Sequence, residues 1–374
     1  MTDVVIAAYR RTPFHFAGKG ALAKVRGDEM AAAVVRALVA DTGIDPATLE
    51  DVVMGCAFPE GEQGLNVAKL VAFMAGLPES VAGVTVNRFC GSSMQSVHQA
   101  AGAIRMGAGE AFICAGMESM SRVPMMGFNP MPNPGLAKSF PQAYISMGET
   151  AENVAMRHQI SRAEQEAFSV RSHHKAAAAQ AAGKLAAEIV AVAGVEQDGC
   201  IRADSSAEAL AGLKPAFRAD GTVTAGTSSP LTDGATGLLV CSAEYARRHG
   251  LKPLAKVLSI AVAGCAPEVM GMGPVGASRK ALARAGIQAG DVAVVELNEA
   301  FASQALACMR ELGIDENRVN KDGGAIALGH PLGATGARIV GKAAQLLQRD
   351  GGRYALATQC IGGGQGIATL LEAL

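Results

Sequence analysis

The chain has 374 residues, more than one hydrophobic core normally serves, so its length predicts at least two domains. Hydrophobic residues make up 49% of the chain and charged residues 18%, an ordinary composition for a globular protein. A formal net charge of −1 gives no electrostatic basis for binding nucleic acid or an anionic membrane, and no apolar run approaches the roughly 18 residues that span a bilayer.

The chain ends and the cysteine spacing predict a cytoplasmic protein. The first predicted strand, Val4–Ala8, begins without a preceding signal peptide, and residues 370–374 contain no peroxisomal signal. The eight cysteines lie at least 24 residues apart, whereas zinc and iron–sulfur sites need closely paired cysteines. We therefore expect reduced thiols in a cytoplasm and no metal site.

Predicted strands and helices alternate through the first third of the chain. Helical periodicity follows the first strand and stops at Gly43. The later segments are a strand over 51–56, a helix over 65–74 that stops at Gly76, a strand ending at Val86, a helix over 92–106 and a strand over 111–115. This alternation predicts a mostly parallel sheet with helices on its faces.

The pattern changes at Met117. Residues 117–147 are rich in methionine and proline and have no steady period, which predicts an inserted, loop-rich lobe. Within the lobe, Ser161 and Glu164 form a predicted capping box for a helix that reaches about Lys184.

The last part of the chain repeats the first alternation. Strands are predicted over 236–240 and 254–262, followed by a helix over 277–285, a strand over 292–297, helices over 300–312 and 336–347, and a strand over 354–358. The prediction is an α/β protein with two similar halves and an insertion, although no residue-level repeat proves a duplication.

Cys90 lies at a predicted strand-to-helix turn. The free N–H groups and the dipole at a helix N-terminus stabilise a thiolate, so we expect the pKa of Cys90 to be lowered. The alternative is that Cys90 is a small buried residue without a chemical role, which is the usual situation of a free cysteine.

Three further candidates follow predicted strands. Asn298 comes after the strand over 292–297, His330 lies between Gly329 and Pro331, and Cys360 opens a glycine-rich segment. Singly, they have ordinary explanations as a capping residue, a surface histidine and a buried cysteine. Together with Cys90 they supply a nucleophile, a base, a second thiol and an amide donor on loops at sheet ends.

One glycine motif is rejected as a cofactor site. Residues 271–276 match the dinucleotide fingerprint formally, but no predicted strand runs directly into the first glycine.

Seven motifs in order along the chain resemble those of the thiolases, and the resemblance covers essentially the whole chain. They are Val86-Asn87-Arg88-Phe89-Cys90-Gly91-Ser92-Ser93, Gly116-Met117-Glu118-Ser119-Met120-Ser121, Met147-Gly148-Glu149-Thr150-Ala151-Glu152-Asn153, Ala225-Gly226-Thr227-Ser228-Ser229, Asn298-Glu299-Ala300-Phe301, residues 323–333 and Cys360-Ile361-Gly362. The resemblance implies a five-layer αβαβα fold made of duplicated α/β halves. The halves would comprise residues 1–118, completed by 232–253, and residues 254–374, with residues 119–231 as a loop domain that binds coenzyme A.

The resemblance also implies cleavage of a 3-ketoacyl-CoA by CoA, or the reverse Claisen condensation, with coenzyme A as co-substrate and no tightly bound cofactor. Cys90 would attack the 3-keto carbon and keep the acyl group as a thioester, while His330 takes its proton. Cys360 would protonate the leaving acetyl-CoA enolate. His330 and a water held by Asn298 would stabilise the enolate oxygen, and the N–H groups of Cys90 and Gly362 the oxygen at the acyl-cysteine.

Four further residues are implied to contact the acyl-CoA. Ser229 would contact the pantetheine arm and Arg202 the adenine end, while Met147 and Met270 would wall the acyl pocket.

The loop over 195–202 is shorter than in many thiolases. The segment over 124–146 is shorter than in the biosynthetic acetoacetyl-CoA thiolases, where a longer loop ties dimers into tetramers, and is more similar to that of degradative thiolases. We therefore expect a homodimer of fatty-acid β-oxidation that can dock to a hydratase/dehydrogenase subunit. The alternatives are a short-chain acetoacetyl-CoA thiolase, a non-catalytic acyl-CoA or lipid carrier, and a ketoacyl synthase-like condensing enzyme.

Overall fold

The computed structural model describes residues 2–374. Its strands are β1 (Val4–Arg11), β2 (His15–Phe16), β3 (Asp51–Gly55), β4 (Ala82–Val86), β5 (Ala111–Ser119), β6 (Thr232–Ser242), β7 (Ala255–Gly264), β8 (Val292–Leu297), β9 (Tyr354–Ile361) and β10 (Gln365–Glu372). Its helices are α1 (Gly27–Thr42), α2 (Val67–Met74), α3 (Ser92–Met106), α4 (Pro134–Ser139), α5 (Met147–Arg157), α6 (Arg162–Ala181), α7 (Ala207–Ala211), α8 (Ala243–Arg248), α9 (Gly273–Ala285), α10 (Ala302–Leu312), α11 (Ala325–Leu328) and α12 (Leu332–Asp350).

The strands are hydrogen-bonded in the order β4-β3-β5-β6-β1-β7-β10-β9-β8. A short antiparallel pairing between β1 and β7, at Val5 and Ile6, joins the two halves. Outward from this junction, both halves repeat two antiparallel pairings and then a parallel one, through β6, β5 and β3 on one side and β10, β9 and β8 on the other. A parallel bridge from Val295 to Val319 then corresponds to the parallel pairing of β3 with β4. The repeated pairing order supports the prediction of duplicated α/β halves.

The halves form five layers with the most buried helices in the middle. Helices α3 and α12 pack against each other and against strands of both halves, and they contribute Met94, Val97, Ile339 and Val340 to a shared apolar core. Helices α1 and α2 cover the outer face of the first half, and α9 and α10 cover that of the second. The predicted αβαβα arrangement is therefore confirmed.

The prediction of a mostly parallel sheet is wrong. Only three of the nine strand pairings are parallel within residues 2–374. One reason is that β10, which the sequence analysis missed, follows β9 directly in a hairpin. Gly363 and Gly364 make its turn with φ values of 80° and 85°, a region that glycine enters without steric cost. The other reason is that β6 returns from the long insertion antiparallel to β5.

The residues between β5 and β6 are attached to the rest of the chain by buried ion pairs. Arg11 of β1 forms a salt bridge with Asp198 and another with Glu188, each at 2.7 Å, and Lys342 of α12 reaches Glu188 at 2.9 Å. The capping box of Ser161 and Glu164 opens α6, as predicted. No helix within residues 2–374 has the length and apolar character needed to cross a membrane.

Candidate active site

Cys90 sits in a short 3₁₀ turn, Phe89–Gly91, between β4 and α3. The turn is formed by local hydrogen bonds: Asn87 Oδ1 accepts from the N–H of Phe89 at 2.9 Å, and Ser92 Oγ accepts from the N–H of Arg88 at 2.9 Å. A side chain at Gly91 would meet Ile361 at 2.6 Å. The small residue after Cys90 therefore lets β9 approach the thiol element.

The expected lowering of the Cys90 pKa is wrong. The side chain is 4% exposed and packs with Phe58, Met120 and Leu332. Burial raises the pKa of the Cys90 thiol to about 11, and this effect exceeds the opposing hydrogen bonds from the backbone N–H groups of Gly362 and of Cys90 itself. Because the thiol is protonated at neutral pH, it needs a base before it can act as a nucleophile.

His330 is buried on the loop between α11 and α12, so it is not a surface histidine. Its backbone N–H donates to Thr232 Oγ1 at 3.1 Å, Nδ1 lies 2.6 Å from Thr335 Oγ1, and Nε2 lies 3.3 Å from Asn298 Nδ2. Burial, and secondarily the positive charge of Arg338, lower the pKa of His330 to about 3. The imidazole is therefore neutral at pH 7 and able to accept a proton.

Asn298 directly follows β8, as predicted, and its backbone N–H donates to Thr358 of β9 at 3.0 Å. Its side chain is fully buried, and Oδ1 has no hydrogen-bond partner in the described part of the chain. A buried, unpaired amide oxygen needs a partner, such as a water or a ligand group.

Cys360 lies inside β9 rather than on a loop, because β9 continues to Ile361 and Cys360 pairs with Gly366 of β10. Its thiol is buried, and burial raises its pKa well above the usual range. The Cys90 thiol is the next largest cause, since a negative charge on either sulfur would disfavour one on the other. The two thiols are thus close enough to influence each other electrostatically.

The predicted acyl-pocket residues surround Cys360. Met147 and Met270 belong to the same apolar cluster as Cys360 and Phe301. A side chain at Gly362 would lie 3.8 Å from Met147 Sδ. The structure therefore brings Met147, Met270 and Gly362 together around the second thiol.

The two predicted CoA-contact residues lie in different surroundings. The backbone N–H of Ser229 donates to the carbonyl of Ala300 at 3.0 Å, close to the Asn298 segment. Arg202 is exposed, with its guanidinium 5.5 Å from the ring centroid of Phe16 and its N–H donating to His173 Nδ1 at 3.1 Å.

Two buried carboxylates that the sequence analysis did not select brace the His330 loop. Glu118 of β5 accepts from the N–H of Gly333 at 2.9 Å, and Glu299 accepts from the N–H of Ile326 at 3.2 Å. Both glutamates belong to motifs that the resemblance identified, but their partners are distant in sequence. Gln359 is a third residue that the sequence analysis did not select, and its Nε2 donates to the backbone carbonyl of Cys90.

The site therefore combines two protonated thiols, a neutral imidazole, an unpaired amide oxygen and two backbone N–H groups directed at the Cys90 sulfur. In this set the imidazole can accept the thiol proton as the sulfur attacks a carbonyl carbon, and the backbone N–H groups can stabilise charge on the carbonyl oxygen. Residues 2–374 contain no cluster of three or more His, Cys, Asp or Glu side chains suited to a metal ion.

Comparison with known proteins identifies the same family over both halves. Residues 4–244 match the family model described as thiolase, N-terminal domain, and residues 251–373 match thiolase, C-terminal domain. The chain is 46% identical to a 3-ketoacyl-CoA thiolase of Bacillus subtilis and 47% identical to one of Erwinia tasmaniensis, with 100% of both chains covered in each case. A 3-ketoacyl-CoA thiolase of Pseudoalteromonas translucida is 47% identical and covers 100% of this chain and 99% of its own. The chain therefore belongs to the thiolase family.

Proposed function

We propose that this thiolase cleaves a 3-ketoacyl-CoA with CoA, releasing acetyl-CoA and a shortened acyl-CoA. The observation that carries the proposal is the pair of buried, protonated thiols, Cys90 and Cys360, together with the buried, neutral imidazole of His330. His330 lies two residues before Leu332, which packs with Cys90. Binding of an acyl-CoA alone would need neither thiol nor a base. The names of the three relatives described above support the same substrate class.

In the first half-reaction, His330 takes the proton of Cys90 as the sulfur attacks the 3-keto carbon. The bond between carbons 2 and 3 breaks, the acyl group stays on Cys90 as a thioester, and Cys360 gives its proton to carbon 2 of the acetyl-CoA enolate. In the second half-reaction, the CoA thiol attacks the thioester and its proton returns to Cys360. Cys90 leaves as a thiolate and recovers its proton from His330. Every proton is therefore returned at the end of one turnover.

Two oxygens acquire negative charge, and each has candidate donors. The hydrogen bonds from the N–H groups of Cys90 and Gly362 to the Cys90 sulfur support our assignment of these groups to the oxygen of an acyl group carried there. Asn298 and His330 are assigned to the enolate oxygen, with a water on the unpaired Oδ1 of Asn298. One such donor contributes about 3 kcal/mol to transition-state stabilisation, so we expect Asn298→Ala to lower the rate roughly a hundredfold. Unimpaired turnover of Asn298→Ala would show that Asn298 does not stabilise the enolate oxygen.

We also propose that residues 119–231 form the lobe that binds CoA. Residues 1–118, completed by 232–253, would form one half of the fold, and residues 254–374 would form the other. The contact of Ser229 with the Ala300 segment supports a pantetheine arm that runs past this point to the thiols. For Arg202, its exposed guanidinium over Phe16 supports a contact with the adenine end of CoA. Met147 and Met270 are proposed to limit the acyl pocket at Cys360.

The exposed edge of the sheet at β4 supports our proposal of a homodimer. Strand β4 has β3 as its one neighbour within residues 2–374, and Val84 on β4 is 39% exposed. Leu65 and Phe73 next to this edge are 89% and 49% exposed. An unpaired, apolar edge strand needs cover, and a second copy of β4 would provide it. A mass measurement by light scattering tests this, and a monomer at micromolar concentration would contradict it.

We also propose the degradative direction, within fatty-acid β-oxidation in the cytoplasm, and docking to a hydratase/dehydrogenase subunit. The functional test is CoA-dependent cleavage of acetoacetyl-CoA and of a long-chain 3-ketoacyl-CoA side by side, with Cys90→Ala as the inactive control. Faster cleavage of the long chain is the expected result. Activity on acetoacetyl-CoA alone would instead identify a short-chain thiolase, and cleavage of neither would contradict the proposal and favour a carrier.

A further inference from the structure

The catalytic histidine has a hydroxyl neighbour on the first turn of α12. His330 Nδ1 lies 2.6 Å from Thr335 Oγ1, and Oγ1 in turn lies 3.0 Å from the carbonyl oxygen of Pro331. The side chains of His330 and Thr335 are 4% and 0% exposed, so water does not compete for these bonds. This contact was not apparent in the sequence, because the threonine is one of several small residues in a glycine-rich helix start.

The carbonyl of Pro331 sets the direction of the hydrogen bonds. A carbonyl oxygen can only accept, so in the 3.0 Å contact with Pro331 the Thr335 hydroxyl is the donor. Towards the imidazole, Oγ1 is then an acceptor, and Nδ1 must carry the hydrogen. A neutral imidazole with a hydrogen on Nδ1 has its lone pair on Nε2.

The contact at the opposite edge of the imidazole ring supports the same tautomer. Asn298 Nδ2, which is a donor, lies 3.3 Å from His330 Nε2 and therefore faces a lone pair. The reverse chain, with the hydrogen on Nε2, would require Thr335 to give up its bond to Pro331 and donate to Nδ1.

We propose that Thr335 is a positioning residue that keeps His330 in the tautomer whose Nε2 is free to accept a proton. When Nε2 takes the proton of Cys90, the Nδ1–H bond to Oγ1 becomes charge-assisted and stabilises the imidazolium ion. The acceptor is a neutral hydroxyl rather than a carboxylate, so the resting imidazole stays neutral. This inference rests on the proposed role of His330 as the base for Cys90.

Without the hydroxyl, the tautomer is expected to change. In Thr335→Val, a buried Nδ1–H would have no partner, which is costly, whereas the other tautomer exposes only a lone pair to the new methyl group. Nε2 would then carry a hydrogen and could no longer accept one. We expect the rate constant for acylation of Cys90 to fall by roughly 100-fold or more, because a positioned base typically contributes about 10²- to 10⁴-fold. KM for the 3-ketoacyl-CoA is expected to stay unchanged.

The chain contains a matched control for this substitution. Thr369 Oγ1 lies 2.9 Å from Nε2 of His98, and both residues are buried, as in the pair of Thr335 with His330. Burial also lowers the pKa of His98 to about 3, so the second histidine is neutral as well. Thr369→Val thus removes the same kind of hydrogen bond from a pair outside the proposed machinery.

The experiment compares Thr335→Val, Thr335→Ser and Thr369→Val in single-turnover acylation and in iodoacetamide labelling of Cys90. We expect only Thr335→Val to be slow in both, with Thr335→Ser within about threefold of the native chain because it keeps the hydroxyl. A Thr335→Val variant as fast as Thr369→Val, or a Thr335→Ser variant as slow as Thr335→Val, would overturn the inference.

The labelling assay separates this inference from the proposed reaction, because it uses no 3-ketoacyl-CoA. Thr335→Val labelling that is slower than Thr369→Val labelling supports the positioning role even if the native chain cleaves no 3-ketoacyl-CoA. In that case the proposed function fails and the inference stands. If His330→Ala labels as fast as the native chain, His330 is not the base and the inference fails with it.

Discussion

The contact between the two central helices is the most demanding packing feature of the fold, and Gly336 makes it possible. A Cβ atom at Gly336 would lie 2.3 Å from the backbone nitrogen of Met94, 2.8 Å from its Cβ and 3.0 Å from its Cα. These are mostly backbone atoms of α3, which cannot rotate away. Gly336→Ala must therefore push α12 from α3. Cys90 and His330 lie just before the first residues of these two helices, so the segments that carry the proposed nucleophile and base would separate.

The size of the effect follows from the contact distance. Moving the new Cβ from 2.3 Å to an ordinary contact of 3.4 Å requires a shift of about 1 Å. Overpacking of this kind typically lowers the free energy of unfolding by ~1–3 kcal/mol. A misplacement of about 1 Å between reacting groups lowers the rate by roughly a hundredfold.

Gly102 provides the control. It lies on α3 with nothing within 4 Å of a new Cβ. Replacing glycine by alanine inside a helix adds about 1 kcal/mol to the free energy of unfolding through helix propensity, and it does so in both variants. The difference in stability between the two variants therefore measures the clash alone. We expect Gly102→Ala to be slightly more stable than the native chain and fully active.

The assay is the urea midpoint of both variants, together with their rates of 3-ketoacyl-CoA cleavage. We expect the midpoint of Gly336→Ala to be lower than that of Gly102→Ala by the equivalent of ~1–3 kcal/mol. Equal midpoints and equal rates would show that α3 and α12 can separate without cost, and the packing argument would be wrong.

Three further predictions concern buried polar groups. Arg11→Met should lower the free energy of unfolding by ~3–5 kcal/mol in a denaturant titration, because it leaves the buried carboxylate of Asp198 unpaired; Arg10→Met, which removes an exposed pair, should lower it by less than about 1 kcal/mol. Equal losses of unfolding free energy in Arg11→Met and Arg10→Met would contradict this prediction. Gln359→Leu should slow acylation by roughly tenfold, measured in single turnover, because the carbonyl of Cys90 loses its buried donor; a native rate would exclude this bond as a positioning contact. Because burial raises the pKa of Cys90 to about 11, iodoacetamide labelling of Cys90 in His330→Ala, which lacks the proposed base, should rise between pH 6 and about 9; a plateau near pH 7 in this variant would show that the thiolate is already formed.

The pairing direction of the strands was only partly readable. The alternation of strands and helices in the first half is real, and β3 pairs in parallel with both β4 and β5. The sequence analysis missed the final hairpin of β9 and β10 because a glycine-rich turn is also typical of a loop that ends a sheet. Periodicity distinguishes a strand from a helix, but it does not indicate which strand will lie beside it.

Local signals predicted the positions of most elements and the family of the chain. Gly43 ends α1 with a φ of 62°, and α3 covers residues 92–106 as predicted, because caps and periodicity act within a few residues. The motifs around Cys90, His330 and Cys360 indicated the family, which the comparisons confirmed.

Tertiary structure alone decided how these groups behave. The pKa of Cys90 is raised because side chains from separate parts of the chain bury it: Phe58, Met120 and, more than 200 residues away in sequence, Leu332 at the start of α12. Glu118 reaches Gly333 across a similar separation. A helix N-terminus that favours a thiolate is a local feature, whereas desolvation depends on everything that packs around the sulfur. The sequence by itself therefore determined which groups are present, and the packing of the two halves determined their protonation and their partners.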